Sequence, residues 1–398
     1  HLYDRALTAA EIEASFRGGP PVVSEAAARA ALTPEEAATR ARSVSELARV
    51  RAELETLTEK ALTYGVTSTP APAVHVLDRG DVLKKGELVT AAGLSCLPGL
   101  GAELGLAPDA PSGAQRAKLA EWITRQDNPL TPRVMANRIW QYHFGRGIAG
   151  SPSDFGVNGE PPTHPELLDW LASYFISADR KTEGRAWSVK KLHRLIVTSN
   201  TYRQSGQLHP RAAALDAENR LLWRMSPRRL EAEELRDAVL AVSGQLNLRE
   251  GGPGFRPFSL VISNSYFYTY EDKVGPEFNR RSIYRTVVNS GGVPLLEAFD
   301  CPDPSVKTPR RGATTTPLQA LMLLNNSFIL REAKELARGL KEAAGPDPAR
   351  QVATAYRRAF GRSPTPAEAR RAEAFVKEHG LAPFCRVLFN ASEFLYVP

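Results

Sequence analysis

Helix-start signals recur along this chain of 398 residues, and each is followed by apolar residues three and four positions apart. Thr163-His-Pro-Glu166 and Thr316-Pro-Leu-Gln319 have the pattern of capping boxes, in which two side chains satisfy free backbone N–H groups at a helix start. Ser188 and the pair Ser226-Pro227 are further predicted starts. The pattern predicts a mainly α fold, with four helices after the second box.

A long helix is predicted near the N-terminus. Thr33 is its expected N-cap, Pro34 its first residue, and two acids follow in the first turn. An apolar stripe at 3-4-3 spacing follows, formed by Leu47, Val50, Leu54 and Leu57. Because this stripe is only two heptads long, it is too short for an independent coiled coil. We expect one arm of a helical hairpin, or a helix docked on the main body, within a helical linker at 20–72.

The remaining part of the chain, 73–398, is predicted to be a mainly helical module with a small β insert at about 255–290. Three runs of strand-forming residues mark the insert: Phe258–Ile262, Tyr266–Tyr270 and Arg281–Val288. The tyrosine-rich second run has no clean period. We interpret its rings mainly as core of the insert, with sugar stacking as the alternative.

Composition argues against some classes of function. The chain has 51 Lys and Arg residues and 44 Asp and Glu residues, and this small excess of positive charge is spread along the sequence, which argues against a nucleic-acid-binding surface. No apolar run reaches 18 residues, so no membrane span is predicted. The three cysteines are far apart and lack zinc or haem-attachment spacing. Neither a metal nor a cofactor is therefore expected within this segment.

The densest group of polar side chains lies between residues 133 and 169. Asp154, His164 and Asp169 are the candidate catalytic residues, because a loop carboxylate could reach the helix start that carries the other two. Arg133, Asn137 and Gln141 form a polar ridge at i, i+4, i+8 on the preceding helix, which could bind a ligand opposite them. The candidate ligand-binding residues of this helix are Asn137, Arg138 and His143.

Three interpretations of this group stay open. A divalent metal could use His143, Asp154 and His164, although no pair has a tight ligand spacing. Paired carboxylates could perform glycosidic acid–base chemistry, which needs two groups about 5–10 Å apart. The same side chains could instead form a structural network or a binding cleft without chemistry.

A second candidate site combines arginines with a threonine-rich helix start. Arg281, Arg310 and Arg311 could bind an anion together with free backbone N–H groups near Thr316. The alternative is a loop clamp, in which Arg310 or Arg311 bridges to Asp300 or Asp303.

The chain also resembles a known family. The resemblance covers nearly everything from about residue 74 to 396 and rests on long motifs: Asn128-Pro-Leu130, Phe144-Gly-Arg-Gly147, Asp154-Phe-Gly156, Thr163-His-Pro-Glu-Leu-Leu-Asp169 and Thr316-Pro-Leu-Gln-Ala-Leu321. These are similar to the planctomycete-type family of unknown function found beside cytochrome c domains. Residues 1–19, with Tyr3-Asp-Arg-Ala-Leu7, resemble the end of a laminin-G or concanavalin-A-like jelly roll.

The resemblance implies a periplasmic or cell-surface setting. Relatives often carry an upstream cytochrome c segment, so any haem would belong to that segment, and a cytochrome c domain is a candidate partner. The family has no agreed catalytic residues. Our leading expectation is a module that recognises or helps to process polysaccharide. The alternative is a structural or assembly domain that docks a cytochrome c or another partner domain.

Overall fold

The structure is a computed structural model that describes residues 8–16, 30–61, 65, 67–70, 72–97, 99–177, 186–289 and 291–397. The described residues are mainly helical, and their strands form three two-stranded antiparallel sheets, so the predicted fold class is confirmed. Two compact units are present. One comprises 1–92 with 103–118, and the other comprises 93–102 with 119–398.

In the described residues before 93, the first unit has the helices α1 (Ala9–Phe16) and α2 (Pro34–Ala61) and a small sheet of β1 (Val74–Leu77) and β2 (Lys85–Val89). Helix α2 starts where predicted: Thr33 Oγ1 accepts a hydrogen bond from Glu36 N, and the Glu36 carboxylate accepts one from Thr33 N. Its apolar residues Val44, Leu47, Val50 and Leu54 remain 46% to 60% exposed. Most of the predicted jelly-roll end, at 1–19, lies outside the described residues.

Helix α3 (Ser112–Ile123) starts in the first unit, and the second unit continues with five helices. These are α4 (Leu130–Phe144), α5 (Pro165–Ile176), α6 (Val189–Val197), α7 (Asn200–Arg203) and α8 (Pro210–Leu215). Helices α4, α5 and α6 pack on one another around a core that includes Trp140, Leu171 and Leu192. Burying these large apolar side chains is what holds the three helices together.

The second half of this unit has its own core. Its elements are β3 (Arg228–Arg229), α9 (Ala232–Ser243), β4 (Phe258–Ile262), β5 (Tyr266–Tyr270), α10 (Pro294–Ala298), α11 (Pro317–Asn325), α12 (Ser327–Ala344), α13 (Pro348–Phe360), α14 (Pro366–His379), α15 (Leu381–Phe389), α16 (Ser392–Leu395) and β6 (Tyr396–Val397). Helix α12 packs against α9, α13 and α15. Its fully buried residues Ile329, Leu336 and Leu340 form the centre of this core.

The β insert is a hairpin anchored at its base. Strands β4 and β5 pair from Phe258↔Tyr270 to Ile262↔Tyr266, and residues directly opposite each other share a face of the ribbon. Phe258 is buried in the core, and Tyr268 and Tyr270 pack against it. The predicted third strand at 281–288 is wrong: this segment forms a 3₁₀ turn at Ser282–Tyr284 and a single bridge between Arg285 and Phe255.

Three other details of the prediction are wrong. The helix expected at Ser226-Pro227 begins at Ala232, because Arg228–Arg229 pair with the C-terminal strand β6 and Glu231 supplies the capping box with Glu234. Helix α5 begins at Pro165 without a side-chain cap, because the Thr163 hydroxyl donates to the Ile148 carbonyl. The segment from 317 to 395 contains six helices, since breaks such as the one capped by Asn326 divide the expected four.

The starts predicted at Ser188 and Thr316 are confirmed. Ser188 Oγ accepts from Lys191 N, and Thr316 forms a capping box with Gln319. Among the described residues, no helix is long and apolar enough to cross a membrane.

Candidate functional site

The first candidate site is carried by α4, α5 and the loop between them. Asn137 faces inward from α4 and is 0% exposed. Its Nδ2 donates to the Ala149 carbonyl at 2.9 Å, and its Oδ1 accepts from Ala149 N at 2.8 Å. Gly147 passes so close to this amide that an added Cβ would lie 2.6 Å from Asn137 Nδ2. Asn137 therefore holds the loop against the helix instead of facing solvent.

The charged residues around Asn137 pair with one another. Arg133 Nε donates to Asp169 Oδ1 at 2.6 Å, and this hydrogen bond lowers the pKa of Asp169. Arg146 and Glu160 form a similar pair at 2.6 Å within the loop. Such exposed pairs contribute little stability, but they occupy the carboxylates that a substrate would need.

Asp154 and His164 have separate partners. Asp154 Oδ1 accepts from Gly156 N at 2.9 Å within its own loop. His164 lies immediately before α5, where its Nδ1 is 2.9 Å from Thr163 Oγ1, and it borders a cavity of about 60 Å³ with Trp140. Among the described contacts, no hydrogen bond joins any two of the predicted catalytic residues, Asp154, His164 and Asp169.

The other two predicted ligand-binding residues of α4 face different neighbours. Arg138 donates to Ser153 Oγ at 3.4 Å, while its Nε is buried without a partner in the described part of the chain. His143 Nε2 lies 2.7 Å from His193 Nδ1 on α6, and its ring meets Tyr202 edge-on. Burial, the neighbouring His193 and Arg228 together lower the pKa of His143, so its neutral form is favoured.

In the second candidate site, Arg311 is held in ion pairs with two glutamates. Arg311 pairs with Glu233 at 2.5 Å and with Glu231 at 3.1 Å. Arg310 is exposed, and Arg281 lies 3.9 Å from Asp237. The structure therefore separates the three predicted anion-binding arginines into different surroundings. Arg311 bridges Glu233 on α9 and Glu231, the N-cap residue of the same helix.

Asp300 bridges to an arginine that the sequence analysis did not single out. Asp300 accepts from Arg229 Nη2 at 2.7 Å and from Thr314 N at 2.9 Å. Burial alone would raise the pKa of Asp300, but the hydrogen bonds from Arg229 and Thr314 outweigh that effect and lower it. Asp300 adopts a left-handed backbone with φ of 61°, which positions its carboxylate for both donors.

Two further residues were missed by the sequence analysis. Trp170 on α5 is 53% exposed, and its ring stacks on Tyr174 with centroids 5.2 Å apart. The guanidinium of Arg285 has no hydrogen-bond or ion-pair partner within the described ranges. The sequence could have indicated that Arg285 lacks a nearby acidic partner, because residues 278–296 contain three arginines and no acid.

No three His, Cys, Asp or Glu side chains of the described residues converge on a possible metal position.

Comparison with known proteins identifies the family of the chain. Residues 115–376 match PSD1, described as a protein of unknown function (DUF1553). The chain belongs to this family. The match covers more than half of the sequence, including both candidate sites. No curated protein and no solved structure matches the chain.

Replacing Asn137 should destabilise the protein far more than breaking the exposed ion pair beside it. The substitution Asn137→Leu leaves the buried Ala149 N–H and carbonyl unpaired, which should lower the free energy of unfolding by about 2–4 kcal/mol. Asp169→Asn should change it by less than about 1 kcal/mol. Urea unfolding of both variants measures this difference. Equal losses would contradict the assigned role of Asn137.

The His143–His193 pair should make stability fall in acid. Because the folded pKa of His143 lies below the ordinary value of 6.5, the unfolded state binds more protons as the pH drops through that value. The free energy of unfolding should therefore decrease more steeply below pH 6.5 in the wild type than in His143→Gln. Denaturant unfolding across this range measures the slopes, with exposed His379→Gln as the control expected to follow the wild type.

Proposed function

We propose that this chain is an assembly module that docks a partner protein through the tip of the β4–β5 hairpin. The observation that supports this proposal most directly is that five large apolar side chains are exposed at the tip of this hairpin. Leu260, Val261, Ile262, Tyr266 and Phe267 are each between 46% and 66% exposed. Contiguous exposed apolar patches of this kind commonly mark interaction sites.

The arrangement of these side chains favours a protein as the occupant. Leu260, Ile262 and Tyr266 lie on one face of the ribbon, and Val261 and Phe267 lie on the other. A partner must therefore cover both faces, as a groove or a neighbouring strand would. The hairpin has no charged residue from 258 to 270 and so lacks the lysines that guard many exposed strand edges. Strand addition by a partner is a known use of such edges.

The pairing of the polar cluster on α4 and α5 also supports binding over hydrolysis. Asp169 is engaged by Arg133 and Glu160 by Arg146, while Asp154 accepts from its own loop. An internally paired network is what a structural role predicts, whereas glycosidic catalysis needs two carboxyl groups that face a bound sugar.

The family resemblance suggests where such a module acts. We propose a periplasmic or cell-surface setting, as for planctomycete-type relatives. The candidate partners are an upstream cytochrome c domain, a laminin-G-like domain, or another chain that carries one. Any haem would then be supplied by the partner.

Photo-crosslinking from the hairpin tip tests the docking proposal. A benzoylphenylalanine placed at Phe267 in the full-length protein, expressed in its natural host, should give one discrete protein adduct. Val261→Asp should abolish that adduct, because burying an unpaired carboxylate in an apolar interface is unfavourable.

The control for this experiment is Val157→Asp, at a fully exposed loop position distant in sequence from the hairpin. It should leave the adduct unchanged. Adducts only with lipid or with polysaccharide, or a protein adduct that persists in Val261→Asp, would refute docking of a protein at this tip.

Polysaccharide recognition is the second candidate function, and the exposed ring of Trp170 favours it. The Trp170 ring stacks on Tyr174, and the Lys191 ammonium lies 4.0 Å from the Tyr174 ring centre. This stack positions the indole as a platform for a sugar ring. Asp169 precedes Trp170 on α5 and is paired with Arg133, and its carboxylate can accept hydrogen bonds from sugar hydroxyls.

Affinity electrophoresis in gels containing polysaccharide tests this second function. If sugars stack on the indole, Trp170→Ala should abolish retardation, since loss of an aromatic platform costs about 1 kcal/mol or more per stacked ring. Tyr142→Ala, at another exposed aromatic residue on α4, is the matched control and should be retarded like the wild type. Equal retardation of both variants would refute a sugar platform at Trp170.

A further inference from the structure

Arg285 differs from the other arginines around it. Neighbouring arginines donate to carboxylates or backbone carbonyls, as shown by Arg229, Arg236, Arg280, Arg311 and Arg331. Arg285 has no hydrogen bond or ion pair from its guanidinium within the described ranges, and its Nε is shielded from solvent. An unpaired, partly buried cation is costly, so a group that pairs with it would be bound favourably.

A polar cavity of about 270 Å³ is lined in part by Arg285. One water needs only about 10–15 Å³, so the cavity has room for a small organic molecule. Its rim includes the exposed residues Val287 and Gly292, which leaves a path from solvent. Arg285 also borders a second cavity of about 40 Å³, which is large enough only for a few waters.

The two acids of the larger cavity do not pair with Arg285. The carboxylate of Asp303 accepts from Ser305 N and Oγ at 2.8 and 2.6 Å. Glu297 lies against the main chain of Gly292, where an added Cβ would be 1.7 Å from its Oε1. Glu297 remains able to accept hydrogen bonds from a ligand.

The thiol in the cavity wall is unreactive. Burial and the neighbouring Glu233 raise the pKa of Cys301 to about 11, so the thiolate is scarce at neutral pH. The cavity is therefore suited to binding and not to nucleophilic chemistry at sulfur.

We infer that this cavity is a binding site for a small carboxylate that also carries hydroxyl groups, the chemistry of a sugar acid. The planar guanidinium of Arg285 matches a carboxylate in two parallel hydrogen bonds. The Asn289 amide and the Glu297 carboxylate can bind hydroxyls. The cavity would bind such a ligand whether or not the hairpin docks a partner.

Calorimetric titration of the full chain with galacturonate tests this site. The wild type should bind saturably, with a Kd on the order of 1 mM for so small a ligand. Arg285→Gln should weaken binding by about tenfold or more, since a charge-assisted hydrogen bond is lost. Arg285→Lys should fall between the two, because it keeps the charge without the planar fork.

Controls separate this site from general effects of charge or folding. Arg256→Gln, at an exposed arginine of the same insert, should bind like the wild type. Thermal unfolding should show that Arg285→Gln remains folded. Glucose or inorganic phosphate binding as tightly as galacturonate would overturn the inference. Absence of saturable binding, or equal binding by Arg285→Gln, would overturn it as well.

Discussion

The pairing of Arg229 is the interaction on which the second half of the structure depends. This side chain is 5% exposed and donates to Asp300, to the Phe299 carbonyl and to the Thr314 carbonyl. Its own backbone lies in β3, which pairs with the C-terminal strand β6. One buried cation therefore connects the strand pair to the loop before α11. Removing its partner would leave a charge without water or counter-charge, which is strongly destabilising.

The same constraint explains why the first candidate site is closed. A polar group taken out of water must find a partner, and Asn137 finds two on the Ala149 backbone. The pairing that makes the loop after α4 rigid also uses up the side chains that could have contacted a ligand. The arginines that surround Arg285 each donate to at least one acceptor, whereas the guanidinium of Arg285 has none within the described ranges and the residue borders a cavity.

Local signals in the sequence predicted local structure well. The N-cap at Thr33 and the capping box at Thr316 depend on residues three positions apart, so the sequence contains the whole interaction. The predicted starts at Thr163 and Ser226 are wrong for the opposite reason. The Thr163 hydroxyl donates to the distant Ile148 carbonyl, and the residues after Ser226, Arg228–Arg229, pair with the C-terminal strand β6. The sequence analysis identified the polar residues of the first candidate site from their residue types. It could not predict which of them pair, because the pairing depends on tertiary contacts.

The exposed apolar residues and the unpaired arginine discussed above lie in one region of the second unit. The hairpin tip and the Arg285 cavity both belong to residues 258–304, between α9 and α11, whereas α9 and α12 bury their polar residues in pairs such as Ser243 with Glu332. A packed helical frame tolerates few changes in shape, while an insert anchored by Phe258 can vary at its tip without disturbing the core. The docking surface and the carboxylate-binding cavity that we propose therefore both lie in this region, which the surrounding helices hold in place.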